Sequence, residues 1–251
     1  MKEHIISLGI RSIAIPPLGC GLGGLAWGDV KREIERALGD LNDVDIVLYE
    51  PLRSPNPAPV VVGNKNLTSI KALLLRCYDM YMSLVPSTDL TFVEAQKLAY
   101  FLQHACGVSE MKLQFAPWRY GPYADNLRHM LSDMEGRWIQ GFHDGTAQAF
   151  DTMTLLPAAH VAKNMALPEQ YLSALAKLDT VIEGFESPLG LELLATTHWL
   201  ITHDNVEPKS QPVMDSIRAW AKNEDWGARK SRLFTPAMID LAIGRVTSLS
   251  A

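Results

Sequence analysis

The sequence predicts an α/β fragment of β-loop-α-β form at the start of the chain, followed by a mainly α domain with a small β element. Three observations predict this. Two short apolar runs, at residues 12–15 and 44–49, flank an amphipathic helical pattern, as in a parallel strand pair joined by a helix. Residues 50–64 hold Pro51, Pro55, Pro57 and Pro59 without helical or alternating pattern, which reads as a semi-rigid linker. Beyond it, apolar residues recur at helical spacing behind capping residues. The expected boundaries are 1–52 for the α/β portion, 53–66 for the linker and 67–251 for the helical domain.

In chain order, Ile5, Ile6 and Leu8 before Gly9 read as the last turn of a helix with a glycine stop. Residues 12–15 form a strand apolar enough to be buried on both faces. A glycine-dense loop covers residues 16–28. A helix follows from about Asp29, its expected cap, with Val30, Ile34, Ala37, Leu38 and Leu41 as the apolar stripe. After the linker, residues 67–85 form a helix, and Thr91 with Glu94 is a capping box opening a second. A short strand at 112–115 and a turn around Tyr120-Gly121-Pro122 lead to a helix at about 123–134. Residues 137–163 read as strands or extended loops. Helices follow from Pro168, from Pro188 with Ser187 as cap, around 213–222, and from Pro236 with Thr235 as cap.

Composition limits the function. The chain has 251 residues, 47% hydrophobic and 20% charged, which excludes wholesale disorder. A formal charge of −5 argues against a general nucleic-acid binder. The most apolar stretch, 67–85, carries Lys71, Arg76 and Asp79, so no membrane span is expected. The N-terminus lacks a secretory pattern. Cys20, Cys77 and Cys106 form no CxxC pair, which places the chain in a reducing cytoplasm. No HExxH motif, serine elbow or metal-spaced histidine pair occurs, so no catalytic residue, metal or cofactor is assigned. The seven histidines read as scattered.

The strongest chemical signal is Gly19-Cys20-Gly21-Leu22-Gly23-Gly24-Leu25, with Trp27 just beyond. Glycines between a strand and a helix let backbone N–H groups approach an anion, and the helix dipole adds to the attraction. A diphosphate is the natural ligand, and a flexible surface turn is the alternative. The spacing Gly19-x-Gly21-x-x-Gly24 matches the dinucleotide fingerprint, but Pro16-Pro17 separate it from the strand and residues 26–28 from the cap. A Rossmann fold is therefore excluded.

The run from Ser12 through Pro16-Pro17-Leu18-Gly19-Cys20-Gly21-Leu22-Gly23-Gly24-Leu25-Ala26-Trp27-Gly28-Asp29 to Asp45-Ile46-Val47-Leu48-Tyr49-Glu50-Pro51 resembles the second half of the macro domain of DarG-type antitoxins. These partner DarT-type toxins, which ADP-ribosylate single-stranded DNA. The resemblance implies that the chain opens with the C-terminal portion of a macro domain. ADP-ribose, free or on single-stranded DNA, would be the ligand of Gly19, Cys20, Gly21, Leu22, Gly23, Gly24, Leu25 and Trp27. It also places the family's earlier strands, adenine-contacting acid and catalytic lysine before Met1, so the chain as given is expected to be inactive as a glycohydrolase.

Residues 97–103, Leu113-Gln114-Phe115, residues 120–131, Glu135-Gly136 and residues 141–145 resemble the toxin-binding domain of the same antitoxins. The wider group of Panacea-type antitoxin domains shares the pattern. The partner implied is a DarT-type ADP-ribosyltransferase. Tyr120, Gly121, Pro122 and Tyr123 form a rigid aromatic turn, suited either to a partner contact or to plugging a helix start into the core. Asp179, Glu183 and Glu186 are expected on one helix face within an acidic stretch that includes Glu192. It reads as a solvated face, or as a mimic of the DNA backbone facing the toxin through Glu183 and Glu186. The first function expected is toxin neutralisation. The alternatives are a DNA ADP-ribosyl glycohydrolase completed by an upstream segment, and a plain ADP-ribose-binding remnant.

Overall fold

The computed structural model describes residues 2–16, 18, 25–39, 41, 44–48, 67–85, 89–142 and 147–249. The chain forms two compact units, Met1–Gly63 and Asn64–Ala251. The expected linker at 53–66 lies outside the described residues.

In the first unit, helix α1 (Lys2–Ser7) precedes strand β1 (Ser12–Ile15), helix α2 (Trp27–Leu38) and strand β2 (Asp45–Leu48). Gly9 takes the left-handed conformation (φ 62°) that ends the first helix. The strands pair in parallel, Ser12 opposite Asp45 and Ile15 opposite Leu48. Ile5, Ile15, Ile34 and Leu38 form the core, with Val30, Leu41 and Ile46 packed against it.

Two expectations are corrected here. Ser12 and Ala14 are exposed while Ile15 is buried, so among the described residues β1 is covered on one face only, following the two-residue alternation of a strand. Helix α2 starts at Trp27, with Ala26 at the cap position and no side-chain cap bond. Asp29 instead lies in the first turn, paired with Arg32, where its charge complements the helix dipole.

The second unit is built around helix α4 (Phe92–His104), in which every residue from Phe92 to Leu102 is buried. Its start is the expected capping box. Thr91 Oγ1 accepts from the Glu94 N–H, and the Glu94 carboxylate accepts from the Thr91 N–H at 2.6 Å. The same carboxylate accepts from the Tyr81 hydroxyl at 2.6 Å, tying in helix α3 (Ser69–Leu84), which Thr68 caps. Of the apolar residues at helical spacing, Leu73, Leu74, Cys77, Tyr78 and Tyr81 on α3 and Val93, Leu98, Phe101 and Leu102 on α4 are buried, whereas Met82 on α3 is half-buried.

Strand β3 (Asp89–Thr91) belongs to an antiparallel sheet of order β3-β7-β6, with β6 at Ile139–Gln140 and β7 at Thr152–Leu155. Strands β4 (Phe115–Trp118) and β5 (Gly121–Ala124) form a hairpin in which Pro117 faces Pro122, a pairing that needs no N–H from either residue. Helix α5 (Asp125–Ser132) follows directly. Short α6 (Val161–Asn164) precedes α7 (Glu169–Ile182), α8 (Pro188–Thr202), α9 (Ser210–Arg218), α10 (Glu224–Leu233) and α11 (Pro236–Ser248). Ser187 and Thr235 cap α8 and α11 as expected.

The hairpin is displaced from its expected place. Lys112 takes a left-handed conformation (φ 50°) after a 3-10 turn at Ser109–Met111, so the strand starts at Phe115 instead of 112. The turn falls on Arg119-Tyr120, and Gly121-Pro122 continue into β5. Helix α5 therefore begins at Asp125. The helix expected at 213–222 ends at Arg218, and α10, capped by Asn223, was not anticipated.

Candidate functional site

The glycine loop Gly19-Cys20-Gly21-Leu22-Gly23-Gly24 lies outside the described residues. Of its expected neighbours, Leu25 is exposed and Trp27 is the first residue of α2. The Trp27 indole Nε1 is buried and has no hydrogen-bond partner among the described residues.

In the second unit, the hairpin and α4 enclose a cleft of about 630 Å³. Phe92, Trp118, Tyr120, Tyr123 and Phe150 line it with rings, and Lys97, Arg119 and Arg128 bring cations. Trp118 is 53% exposed and Phe150 52%, so two large aromatic faces stand open to solvent. The Tyr120 ring packs edge-on against Phe150, with centroids 5.1 Å apart, and the Arg229 guanidinium lies 4.7 Å from its centre.

Helix α4 holds the hairpin with side chains that the sequence reading did not single out. Gln96 Nε2 donates to the Ala124 carbonyl, and Gln96 Oε1 accepts from the Ala124 N–H, both at 3.0 Å. Two helical turns on, Gln103 does the same at Leu113, donating at 2.9 Å and accepting at 2.7 Å. Each amide acts as a neighbouring strand would, satisfying a backbone donor and acceptor together. Between them, Lys97 Nζ donates to the Pro122 carbonyl at 2.6 Å. Gly121 is required twice over. Its φ is 90°, and a Cβ there would come within 3.1 Å of Thr196 Oγ1 and 3.2 Å of Lys97 Cε.

Beneath the turn lies a buried ionic cluster. Lys230 Nζ meets Glu192 Oε1 at 2.5 Å, with Arg229 Nη1 2.7 Å from the same oxygen. Burial lowers the Lys97 pKa to about 7, helped by the charge of Lys230 and opposed by Glu192. Burial likewise lowers Lys230 to about 8, against the pull of Glu192. Burial pushes the Glu192 carboxyl up, but Lys230 and Arg229 outweigh it and hold the group below its ordinary value.

The four residues of the expected aromatic turn thus divide. Tyr120 and Tyr123 line the cleft, whereas Gly121 and Pro122 are buried and shape the backbone. The acidic face is corrected. Helix α7 ends at Ile182, Glu183 leaves the helical conformation as its C-cap (φ −50°, ψ 123°), and Glu186 lies in the connection to α8, because Gly184 (φ 81°) breaks the helix. Glu183 and Glu186 are therefore not on one helix face with Asp179, although Glu183 stays exposed and pairs with Arg245 at 3.6 Å. Glu192 faces the core ion cluster and leaves the acidic surface.

The histidines are less scattered than they read. The Tyr100 hydroxyl and His198 Nδ1 share a 2.7 Å hydrogen bond, and His203 stacks on Trp199 and meets the His104 ring edge-on. Burial, with neighbouring imidazoles adding to it, lowers His104 and His198 to about 4. Among the described residues, no group of His, Cys, Asp and Glu could hold a metal ion. Likewise no described helix is long and apolar enough to cross a membrane.

These features define a mixed α/β protein with a small parallel unit and a helical unit carrying an aromatic, cation-flanked cleft. No family model matches the sequence. The chain is 40% identical over 227 residues to a DNA ADP-ribosyl glycohydrolase of Thermus aquaticus, covering 86% of this chain and 59% of that protein. It is 34% identical over 259 aligned positions to a DNA ADP-ribosyl glycohydrolase of Mycobacterium tuberculosis, covering 96% of this chain and 70% of that protein. A stretch of 55 residues is 42% identical to a DNA ADP-ribosyl transferase-DNA ADP-ribosyl glycohydrolase fusion protein of Thermosipho africanus. The chain belongs to the DNA ADP-ribosyl glycohydrolase (DarG) family.

Proposed function

We propose that the chain is an antitoxin that binds and neutralises a DarT-type DNA ADP-ribosyltransferase through its helical unit. Its first unit is the C-terminal portion of an ADP-ribose-binding macro domain. The observation that carries this reading is the Thermosipho relative, whose name joins a DNA ADP-ribosyl transferase and a glycohydrolase in one protein. Tyr120 and Tyr123 at the cleft, with exposed Glu183 and half-buried Glu186 elsewhere on the unit, are the contacts assigned to the toxin. The test is co-expression with a DarT-type transferase, scoring growth and co-purification. Rescue with co-purification is expected, and Tyr120→Ala with Tyr123→Ala weakens both. Toxicity unrelieved by a well-expressed, folded chain overturns the reading.

The second reading is that the chain takes part in releasing ADP-ribose from DNA, which the names of its relatives favour. Gly19, Cys20, Gly21, Leu22, Gly23, Gly24, Leu25 and Trp27 would then hold the ADP-ribose. The Trp27 N–H, buried at the helix start without a partner among the described residues, offers that ligand a donor. Calorimetry with ADP-ribose tests it. Saturable binding weakened by Trp27→Phe is expected, and a flat titration overturns it.

A further inference from the structure

We propose that the cleft between α4 and the β4-β5 hairpin binds a nucleoside phosphate unit, its base stacked on Trp118 or Phe150 and its phosphate held by Arg119 of the cleft wall.

The cleft has the two ingredients this ligand needs. Rings of Trp118 and Phe150 stand half exposed, and any base offers a flat face to stack on them. Among the described residues the lining carries Lys97 and Arg119 against one carboxylate, Asp151, while Arg128 is held over the Phe92 and Phe142 rings and donates to the Ala147 carbonyl. That carboxylate is already engaged, its Oδ2 accepting from the Gln148 N–H at 2.7 Å. Lys230 and Arg229 lie behind the wall with only Glu192 between them. A local cationic excess in a chain of charge −5 favours an anionic occupant.

The backbone argues against an extended acidic peptide as that occupant. A bound strand needs a sheet edge with free donors and acceptors, and the β5 edge facing α4 is closed. Gln96 takes both groups of Ala124, Lys97 takes the Pro122 carbonyl, and Pro122 has no N–H. On the other strand, the Trp118 carbonyl accepts from Trp220 Nε1 at 2.7 Å. What the cleft presents is side-chain faces and cations, which recognise a base and a phosphate. This inference needs neither the toxin nor the glycine loop.

The experiment is fluorescence anisotropy of the full chain with a short labelled oligothymidylate, which has little structure of its own, beside calorimetry with AMP. Saturable binding is expected in at least one arm, and the arm that responds tells a strand from a free nucleotide. At least one of Trp118→Ala and Phe150→Ala, both at exposed positions, is expected to weaken it by about tenfold. Arg119→Glu is expected to weaken it and flatten its salt dependence. AMP held by the first unit would be insensitive to Trp118 and Phe150, so failure here is distinct from failure of the ADP-ribose reading. The proposal is overturned if neither ligand binds, or if binding is unchanged in folded Trp118→Ala and Phe150→Ala. It is equally overturned if a Glu/Tyr copolymer saturates the cleft while both nucleotide arms stay flat.

Discussion

The Lys97 ammonium donates to the Pro122 carbonyl across 2.6 Å inside the protein, with Lys97 only 1% exposed. A buried lysine without a direct carboxylate partner is unusual, and here its hydrogen-bond acceptor is the backbone of the hairpin that walls the cleft. The hairpin therefore rests on a charge that the fold holds at a cost.

That cost depends on pH. Lys97 and Lys230 are lowered from 10.5 to about 7 and about 8, so above these values the unfolded chain binds more protons than the folded one. Stability contributed by these groups therefore rises with pH, from about 7 for Lys97 and about 8 for Lys230, up to 10.5. Urea unfolding at a series of pH values is expected to show the rise, and Lys97→Met to reduce it by about half. An unchanged slope in the variant would remove Lys97 from this account.

Glu192 is the counterion that keeps Lys230 inside. Glu192→Gln leaves a fully buried ammonium without its carboxylate, and the expected loss is about 3–5 kcal/mol. Chemical denaturation measures it. A loss under about 1 kcal/mol would mean that the cluster relaxes to water more readily than its geometry implies.

Gln96→Leu strands both the N–H and the C=O of Ala124 in the core, at about 1–3 kcal/mol for each group. Gln103→Leu should cost less, because Gln103 itself is only half-buried. The order of the two unfolding midpoints is the readout, and the reverse order would contradict the clamp.

Acid acts through the histidines. His104 and His198 stay neutral in the fold down to about 4, against an ordinary value of 6.5. Between these values the unfolded chain takes up more protons, so stability falls as pH falls through this window. His198→Gln is expected to shallow the decline seen in thermal unfolding between those two pH values.

Legibility in the sequence followed the range of the interactions. Caps are local, so Thr91 with Glu94, Ser187 and Thr235 could be read directly, as could the parallel strand pair. Helix α10 was missed because Glu224-Asp225-Trp226-Gly227-Ala228-Arg229-Lys230 has a glycine at its centre and little apolar periodicity. Only the fold explains Gly227, since a Cβ there would meet the Arg218 carbonyl at 1.9 Å. Lys97 and Gln103 lie in a stretch whose resemblance was legible, with Gln96 just before it, but the partners of Lys97, Gln96 and Gln103 sit 25, 28 and 10 residues away. The same separation hid the meeting of Tyr100 with His198. Tyr120 and Tyr123 could be singled out as aromatic, but not the cleft they line.

Helix α4, buried from Phe92 to Leu102, also sets the order in which the molecule lets go of its amide hydrogens. Its N–H groups can reach solvent only when α3, α7, α8 and the hairpin have all moved aside, so in deuterated water they exchange through global opening. The exposed flank of α11, near Leu241 at 69% exposure, is free to exchange by local fraying. A bound toxin or nucleotide that stabilises the whole unit would slow α4 most, including those of its turns that lie away from the cleft.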